Sequence, residues 1–285
     1  MRDKFCYNEI MNIMRKRLTI VGALIVVFFL TGFMLLFINL TLTKSKTGTG
    51  TDEFKPVDTA TFDQNVDITK PIIDISGWQL PSEMDYDQLA NQVNGVIVRV
   101  QHGISMKKTN NAAYKNGLDK AMSTHIKEFQ KRNVPVAVYA YVNGNSEEEM
   151  RKEADAFYDR AAEYKPTYWW LDVEEVTMKK DFNAGVDAFR QQLEKRGAKN
   201  IGIYTQDWFV TANNIDVSHY SSVWLAHYGR DTGFWDTSPD TTIGYDLHQY
   251  TSRGKLNGFA GDLDFNRVTN VSDYNKIFNH GHLMK

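Results

Sequence analysis

From Lys70 onward, short apolar runs alternate with amphipathic stretches, and that rhythm predicts most of the elements. Residues 71–75, 95–100, 134–141, 168–173 and 201–204 are rich in β-branched and aromatic side chains and are of strand length. Between them, residues 86–92, 118–131, 147–164 and 182–195 carry apolar positions at helical spacing. Repeated βα units of this kind imply parallel strands with right-handed crossovers. After Tyr204 the rhythm fails. Residues 223–226, 244–250 and 262–265 still read as strands, whereas 229–242 and 251–261 are turn-rich and lack an apolar helical stripe. Eight strands with about five helices predict an α/β fold, a shortened or irregular TIM-like β/α barrel at the small end of that architecture.

The N-terminus follows another pattern. Residues 18–38 form an uninterrupted uncharged segment of 21 residues, the length of a membrane-crossing helix. Arg2, Lys4, Arg15, Lys16 and Arg17 precede it against only Asp3 and Glu9, so the tail is expected in the cytoplasm and everything after Ile38 outside. The apolar core is longer than that of a signal peptide and no A-x-A-like site follows, which favours an uncleaved anchor. Residues 39–69, with Thr47-Gly48-Thr49-Gly50-Thr51 at their centre, read as a flexible polar linker. The expected organisation is a cytoplasmic tail (1–17), a transmembrane signal anchor in the bilayer (18–38), the linker (39–69) and a barrel domain (70–285).

Charge narrows the partners. The chain carries −2, and removing the tail's five basic and two acidic residues leaves −5 outside, with no polybasic surface for nucleic acid. Cys6 is the only cysteine and lies in the tail, so the outer domain forms no internal disulfide and depends on its core.

Candidate chemistry centres on Tyr168-Trp169-Trp170-Leu171-Asp172-Val173-Glu174-Glu175. On a strand, Asp172 and Glu174 point the same way, their carboxylates roughly 7 Å apart. That spacing suits acid/base work on a bond between sugars, where one carboxyl keeps a proton while its neighbour keeps a charge. Acids at strand ends also serve as caps and salt-bridge partners, so the pair needs support. The barrel supplies it, because barrel chemistry gathers at the C-terminal ends of strands. Asp74 lies near the end of the first strand, Tyr139 of the third, and Asp264 at the last, which neighbours the first in a closed barrel. His102, His227 and His248 have no H-E-x-x-H spacing, so neither metal nor other cofactor is implied.

In order along the chain, several segments are similar to glycoside hydrolase family 25, the lysozyme family of phage endolysins and bacterial cell-wall hydrolases. They are Pro71-Ile72-Ile73-Asp74-Ile75-Ser76-Gly77-Trp78-Gln79, residues 135–139, Leu171-Asp172-Val173-Glu174, Ile201-Gly202-Ile203-Tyr204, Trp224-Leu225-Ala226-His227-Tyr228-Gly229, Gln249-Tyr250-Thr251 and residues 258–266. The resemblance implies a muramidase that cuts the β-1,4 bond between N-acetylmuramic acid and N-acetylglucosamine in peptidoglycan glycan strands. It implies Glu174 as general acid and Asp172, Asp74 and Asp264 as the other acids of the site, with Asp172 either a nucleophile or an orienting group for the substrate's own acetamido. Retention of configuration is expected by either route. The candidate substrate contacts are Tyr139 and Tyr228, near strand ends, with Trp78, Tyr204 and Gln249 from the resembling segments. Aromatics on strands are more often core filling, and Trp169 and Trp170 point to opposite faces, so at least one is structural. Gln101-His102-Gly103 departs from the family's Thr-Glu-Gly turn.

Three functions follow: a membrane-anchored muramidase acting on nearby wall, in the service of secretion, conjugation or division machinery; an inactive glycan-binding module; or a barrel hydrolase of another glycan. Retention of all four acids argues against the second.

Overall fold

The computed structural model describes residues 66–104 and 106–279. The tail, the transmembrane segment and the linker as far as residue 65 lie outside the described residues. Among those described, no helix is long and apolar enough to cross a membrane.

Eight strands close into a barrel in sequence order: β1 (Ile72–Ile75), β2 (Gly95–His102), β3 (Val136–Tyr141), β4 (Trp169–Asp172), β5 (Ile201–Gln206), β6 (Ser222–Ala226), β7 (Leu247–Leu256) and β8 (Phe259–Val268). The first seven run parallel, β1 to β5 as the βα rhythm predicts and β6 and β7 beyond the point where that rhythm fails. The eighth is reversed and pairs antiparallel with both neighbours. Residues 251–261, expected as a turn-rich connection, are instead the arms and tip of a β7–β8 hairpin. Asn257 and Gly258 form its two-residue turn, with Gly258 at φ 102°, a left-handed conformation that favours glycine.

Among the described residues, six α-helices surround the strands: α1 (Tyr86–Ala90), α2 (Met122–Gln130), α3 (Glu147–Ala161), α4 (Phe182–Arg196), α5 (Asp207–Ala212) and α6 (Val271–Phe278). Capping residues set several of their starts, since Asp85, Ser146 and Asn270 each accept from the backbone N–H three residues on. The second helix begins later than its apolar pattern predicts, because Leu118 and Asp119 bridge to Gln101 and Ala113 instead.

Strand alternation separates two cores. Outward residues such as Val96, Val98, Val138, Leu171 and Ile203 pack under the helices, where Trp169 stacks on Tyr158 and meets Phe157 edge-on. Inward residues Ile72, Ile97, Ala137, Tyr168, Trp170, Tyr204 and Trp224 fill the barrel, and Tyr274, Ile277 and Phe278 of α6 join them. Val66 and Ile68, which the sequence pattern assigns to the linker, also pack on this inner core. Trp170 takes so much space that its neighbour on β5 has no side chain: a Cβ on Gly202 would lie 2.3 Å from the indole.

Gly202→Ala should therefore destabilise the barrel by about 1–3 kcal/mol, the usual range for overpacking a close-packed core. Urea unfolding at neutral pH reads this directly, and a midpoint equal to that of the wild type would show that the indole yields without strain.

Candidate active site

The floor of the site is the top of the inner core, and its walls are the inward side chains one step further along each strand. A pocket of about 160 Å³ is lined by Asp74, Tyr139, Asp172, Glu174, Tyr204, Trp224, Tyr228, Gln249 and Asp264. All four sequence-predicted acids meet there. Of the predicted substrate contacts, Tyr139, Tyr204, Tyr228 and Gln249 are present. Trp78 is not among the lining residues; it stands 56% exposed in the loop after β1.

Asp264 reaches the pocket by a route the sequence reading did not foresee. It lies mid-strand on the reversed β8, directly opposite Asp74 of β1, rather than at a C-terminal strand end. A long antiparallel strand crosses the mouth midway along its length, which is why a residue so placed can join residues that end parallel strands.

The hydrogen bonds around Asp74 run in one direction. Trp224 Nε1 donates to Asn266 Oδ1 at 2.7 Å, and since an indole N–H only donates, the Asn266 amide must turn its NH₂ to Asp74 Oδ2, 2.8 Å away. Gln249 Nε2 donates to the same oxygen at 2.8 Å, while its Oε1 accepts from the Tyr204 and Tyr228 hydroxyls at 2.8 and 2.7 Å. Burial pushes Asp74 up to about 6, with these two amide donors opposing the rise and the Glu174 charge adding to it. Asp264 is pushed up to about 8 by burial and then by the charge on Asp74. The proton of the pair belongs on Asp264 and the charge on Asp74, where the donors are.

Asp172 is held well above the usual carboxylate range, first by burial and then by the charge of Glu174, with which it is within hydrogen-bonding reach. The Arg99 guanidinium works against that rise. It is fixed by Asp119, whose Oδ2 accepts from Arg99 Nε at 2.9 Å and from the Gly77 N–H at 2.8 Å. Asp172 Oδ1 is buried and lacks a hydrogen-bond partner. Glu174 Oε2 accepts from Gln206 Nε2 at 2.7 Å.

Trp169 and Trp170 are both structural, one on each side of the strand. The histidines are engaged as hydrogen-bonding or packed groups: His102 stacks on Tyr141, His227 Nδ1 meets Asp207 Oδ2, and His248 Nε2 meets the carbonyl of His227. Among the described residues, no group of three or more His, Cys, Asp or Glu side chains is arranged to hold a metal ion. Sequence reasoning passed over Asn266 and Gln206. Each was recoverable from period-two alternation, since Asn266 shares a face with Asp264 and Gln206 with Tyr204.

Residues 73–259 match the family model described as glycosyl hydrolases family 25. The chain is similar in structure to GHIP of Streptococcus pneumoniae, a glycosyl hydrolase 25 described as a virulence factor participating in host cell invasion. Identity is 50%, the match covers 74% of this chain and 94% of that one, and the TM-score is 0.72. The catalytic domain of the endolysin ply40, from bacteriophage P40 of Listeria monocytogenes, is 26% identical over 73% of this chain and 96% of its own, with a TM-score of 0.64. The modular autolysin LytC of Streptococcus pneumoniae, solved with a synthetic peptidoglycan ligand, is 22% identical over 69% of this chain and 46% of its own. Its TM-score is 0.53, a likeness of fold alone. No curated protein matches the chain.

Removing the burden on Asp264 should stabilise the protein. A carboxyl whose pKa rises from 3.8 in the unfolded chain to about 8 in the fold binds more protons folded than unfolded between those values, so stability falls as pH rises through that window. Asp264→Asn abolishes this loss. Its Tm advantage over the wild type should be larger at pH 8 than at pH 5 by several degrees, and parallel Tm curves across that range would refute the assignment.

Proposed function

The chain belongs to glycosyl hydrolase family 25, and on that premise we propose that this glycoside hydrolase is a peptidoglycan muramidase. It cuts the β-1,4 bond between N-acetylmuramic acid and N-acetylglucosamine, with Glu174 as general acid and with retention. The observation that carries the reading is Asp172, a buried carboxyl in the pocket beside Glu174, with one oxygen lacking a donor. A sugar bearing a 2-acetamido group brings an N–H to such an acceptor.

The chemistry follows from the electrostatics. Asp172, buried and held above the usual carboxylate range beside Glu174, carries a proton in the free site. The substrate's N–H stabilises the anion of Asp172 and leaves the proton on Glu174. Glu174 then protonates the glycosidic oxygen as the bond from that oxygen to the anomeric carbon breaks. The acetamido carbonyl oxygen, oriented by Asp172, bonds to the anomeric carbon from the opposite face. Water, deprotonated by Glu174, then opens that ring on the original face, and the configuration is retained. Asp74, ionised and clamped by Gln249 and Asn266, supports the positive charge that develops on the sugar.

We place the catalytic domain on the wall side of the cell membrane, held by residues 18–38 as a single-pass anchor with the tail in the cytoplasm. A tether of that length confines hydrolysis to nearby wall, which fits a service to secretion, conjugation or division machinery. The uncharged run and its basic flank support this placement.

Glu174→Gln keeps the shape but has no proton to give, so turnover on purified peptidoglycan should fall by roughly two to four orders of magnitude while binding survives. Mass spectrometry of borohydride-reduced products should find muramic acid at the new reducing ends. Glucosamine there would make the enzyme a glucosaminidase, and undigested wall would point to another glycan. Activity against pH should be bell-shaped, and Asp172→Asn should suppress turnover with binding largely kept. An Asn variant with full activity would remove Asp172 from the mechanism.

The anchor has its own test. Full-length protein should remain with membranes through salt extraction and be degraded by protease added to protoplasts. A mature N-terminus beyond Ile38 would show a cleaved signal instead.

A further inference from the structure

Outside the acid cluster, Glu174 is held by Gln206, the last residue of β5. The amide of Gln206 is itself held at its other end, where Oε1 accepts from the indole Nε1–H of Trp208. Trp208 is fixed in turn by its backbone N–H, which donates to Asp207 Oδ1 at 2.7 Å, while Asp207 Oδ2 meets His227 Nδ1 at 2.6 Å. The chain of contacts therefore runs from the start of α5 to the acid.

Its direction is forced. An indole nitrogen can only donate, so the oxygen of the Gln206 amide must face Trp208 and the NH₂ must face Glu174. Glu174 Oε2 is thereby committed as an acceptor, and a proton on the carboxyl goes to Oε1. A carboxyl free to turn would carry its proton on either oxygen, only one of which faces the bond to be cut. We propose, on the reading that Glu174 is the general acid, that Trp208 and Gln206 are positioning residues that select the oxygen from which Glu174 delivers its proton.

The position of Trp208 gives this device a link to the substrate. The residue is 61% exposed and lines a pocket of about 280 Å³ with His227 and Tyr228, and Tyr228 also lines the catalytic pocket. A sugar ring resting on the indole bears on the same hydrogen-bonded chain that aims the acid.

The test uses the whole protein on purified peptidoglycan, with kcat and KM measured separately. Gln206→Glu keeps the shape and still accepts from Trp208, but its second oxygen has no N–H to give. Its kcat should fall about ten- to a hundredfold, the scale of a misplaced catalytic group, with KM within about twofold of the wild type. Trp208→Phe keeps an aromatic ring and removes only the N–H, and kcat should fall about three- to tenfold at unchanged KM. In a Glu174→Gln background, adding Gln206→Glu should reduce the residual turnover no further, because Gln206 acts only through the acid. A loss that multiplies in the double variant, or a Gln206→Glu enzyme with wild-type kcat, overturns the proposal while leaving Glu174 as the acid. A Glu174→Gln enzyme with wild-type activity overturns the reading of Glu174, and this proposal with it.

Discussion

A carboxylate taken out of water must find either donors or a proton, and four of them share one pocket here. Asp74 finds donors, from Gln249 and Asn266. Asp264 and Asp172 are driven towards the protonated form, because burial is reinforced by the charges beside them. Water would screen these charges, and beneath them buried aromatic side chains stand in its place. Electrostatic order in the site is therefore a product of packing: Trp170 and Trp224 fill the barrel beneath the acids, and Trp224 also directs Asn266 with its single N–H.

That floor places demands on the rest of the fold. Indoles and phenols occupy an interior that branched aliphatic side chains commonly fill in β/α barrels, and the larger rings require compensation. Gly202 yields its side-chain volume to Trp170, and Gly95 lies so close to Phe278 that a Cβ would approach that ring to 2.8 Å. The last helix, α6, contributes its apolar face to the inner core alongside Val66 and Ile68. The inner core thus draws on both ends of the described chain. The catalytic mouth is left to polar side chains, whose hydroxyl, amide and carboxyl groups suit a substrate made of hydroxyl and acetamido groups.

The reversed eighth strand has a similar logic. A parallel β8 would need a crossover from β7 and would bring only its C-terminal end to the mouth. The Asn257-Gly258 hairpin needs two residues, and it brings Asp264 and Asn266 to the same wall as Asp74. One residue supplies a proton-bearing carboxyl and the other a clamp, two positions apart on one face of one strand. Comparable economy is visible on β5, where Tyr204 reaches Gln249 and Gln206 reaches Glu174.

The amino-acid sequence determined the periodic features by itself. The first five parallel strands, the helices at 147–161 and 182–196, and the shared face of Asp172 and Glu174 all follow from local spacing, because a strand repeats every two residues and a helix every 3.6. That Asp74, Asp172, Glu174 and Asp264 meet in one pocket was legible from the barrel's geometry, together with the resemblance of the surrounding segments. The direction of β8 was not legible, since a strand's alternation reads the same either way, and the Asn-Gly turn between residues 256 and 259 was obscured by the further turn-forming glycines on either side, Gly254 and Gly261. Proton placement among Asp74, Asp172 and Asp264 was decided only by tertiary structure. It depends on which carboxyls meet across the barrel and which donors reach them, and those partners, such as Asp74 and Asn266, lie up to 192 residues apart in the chain.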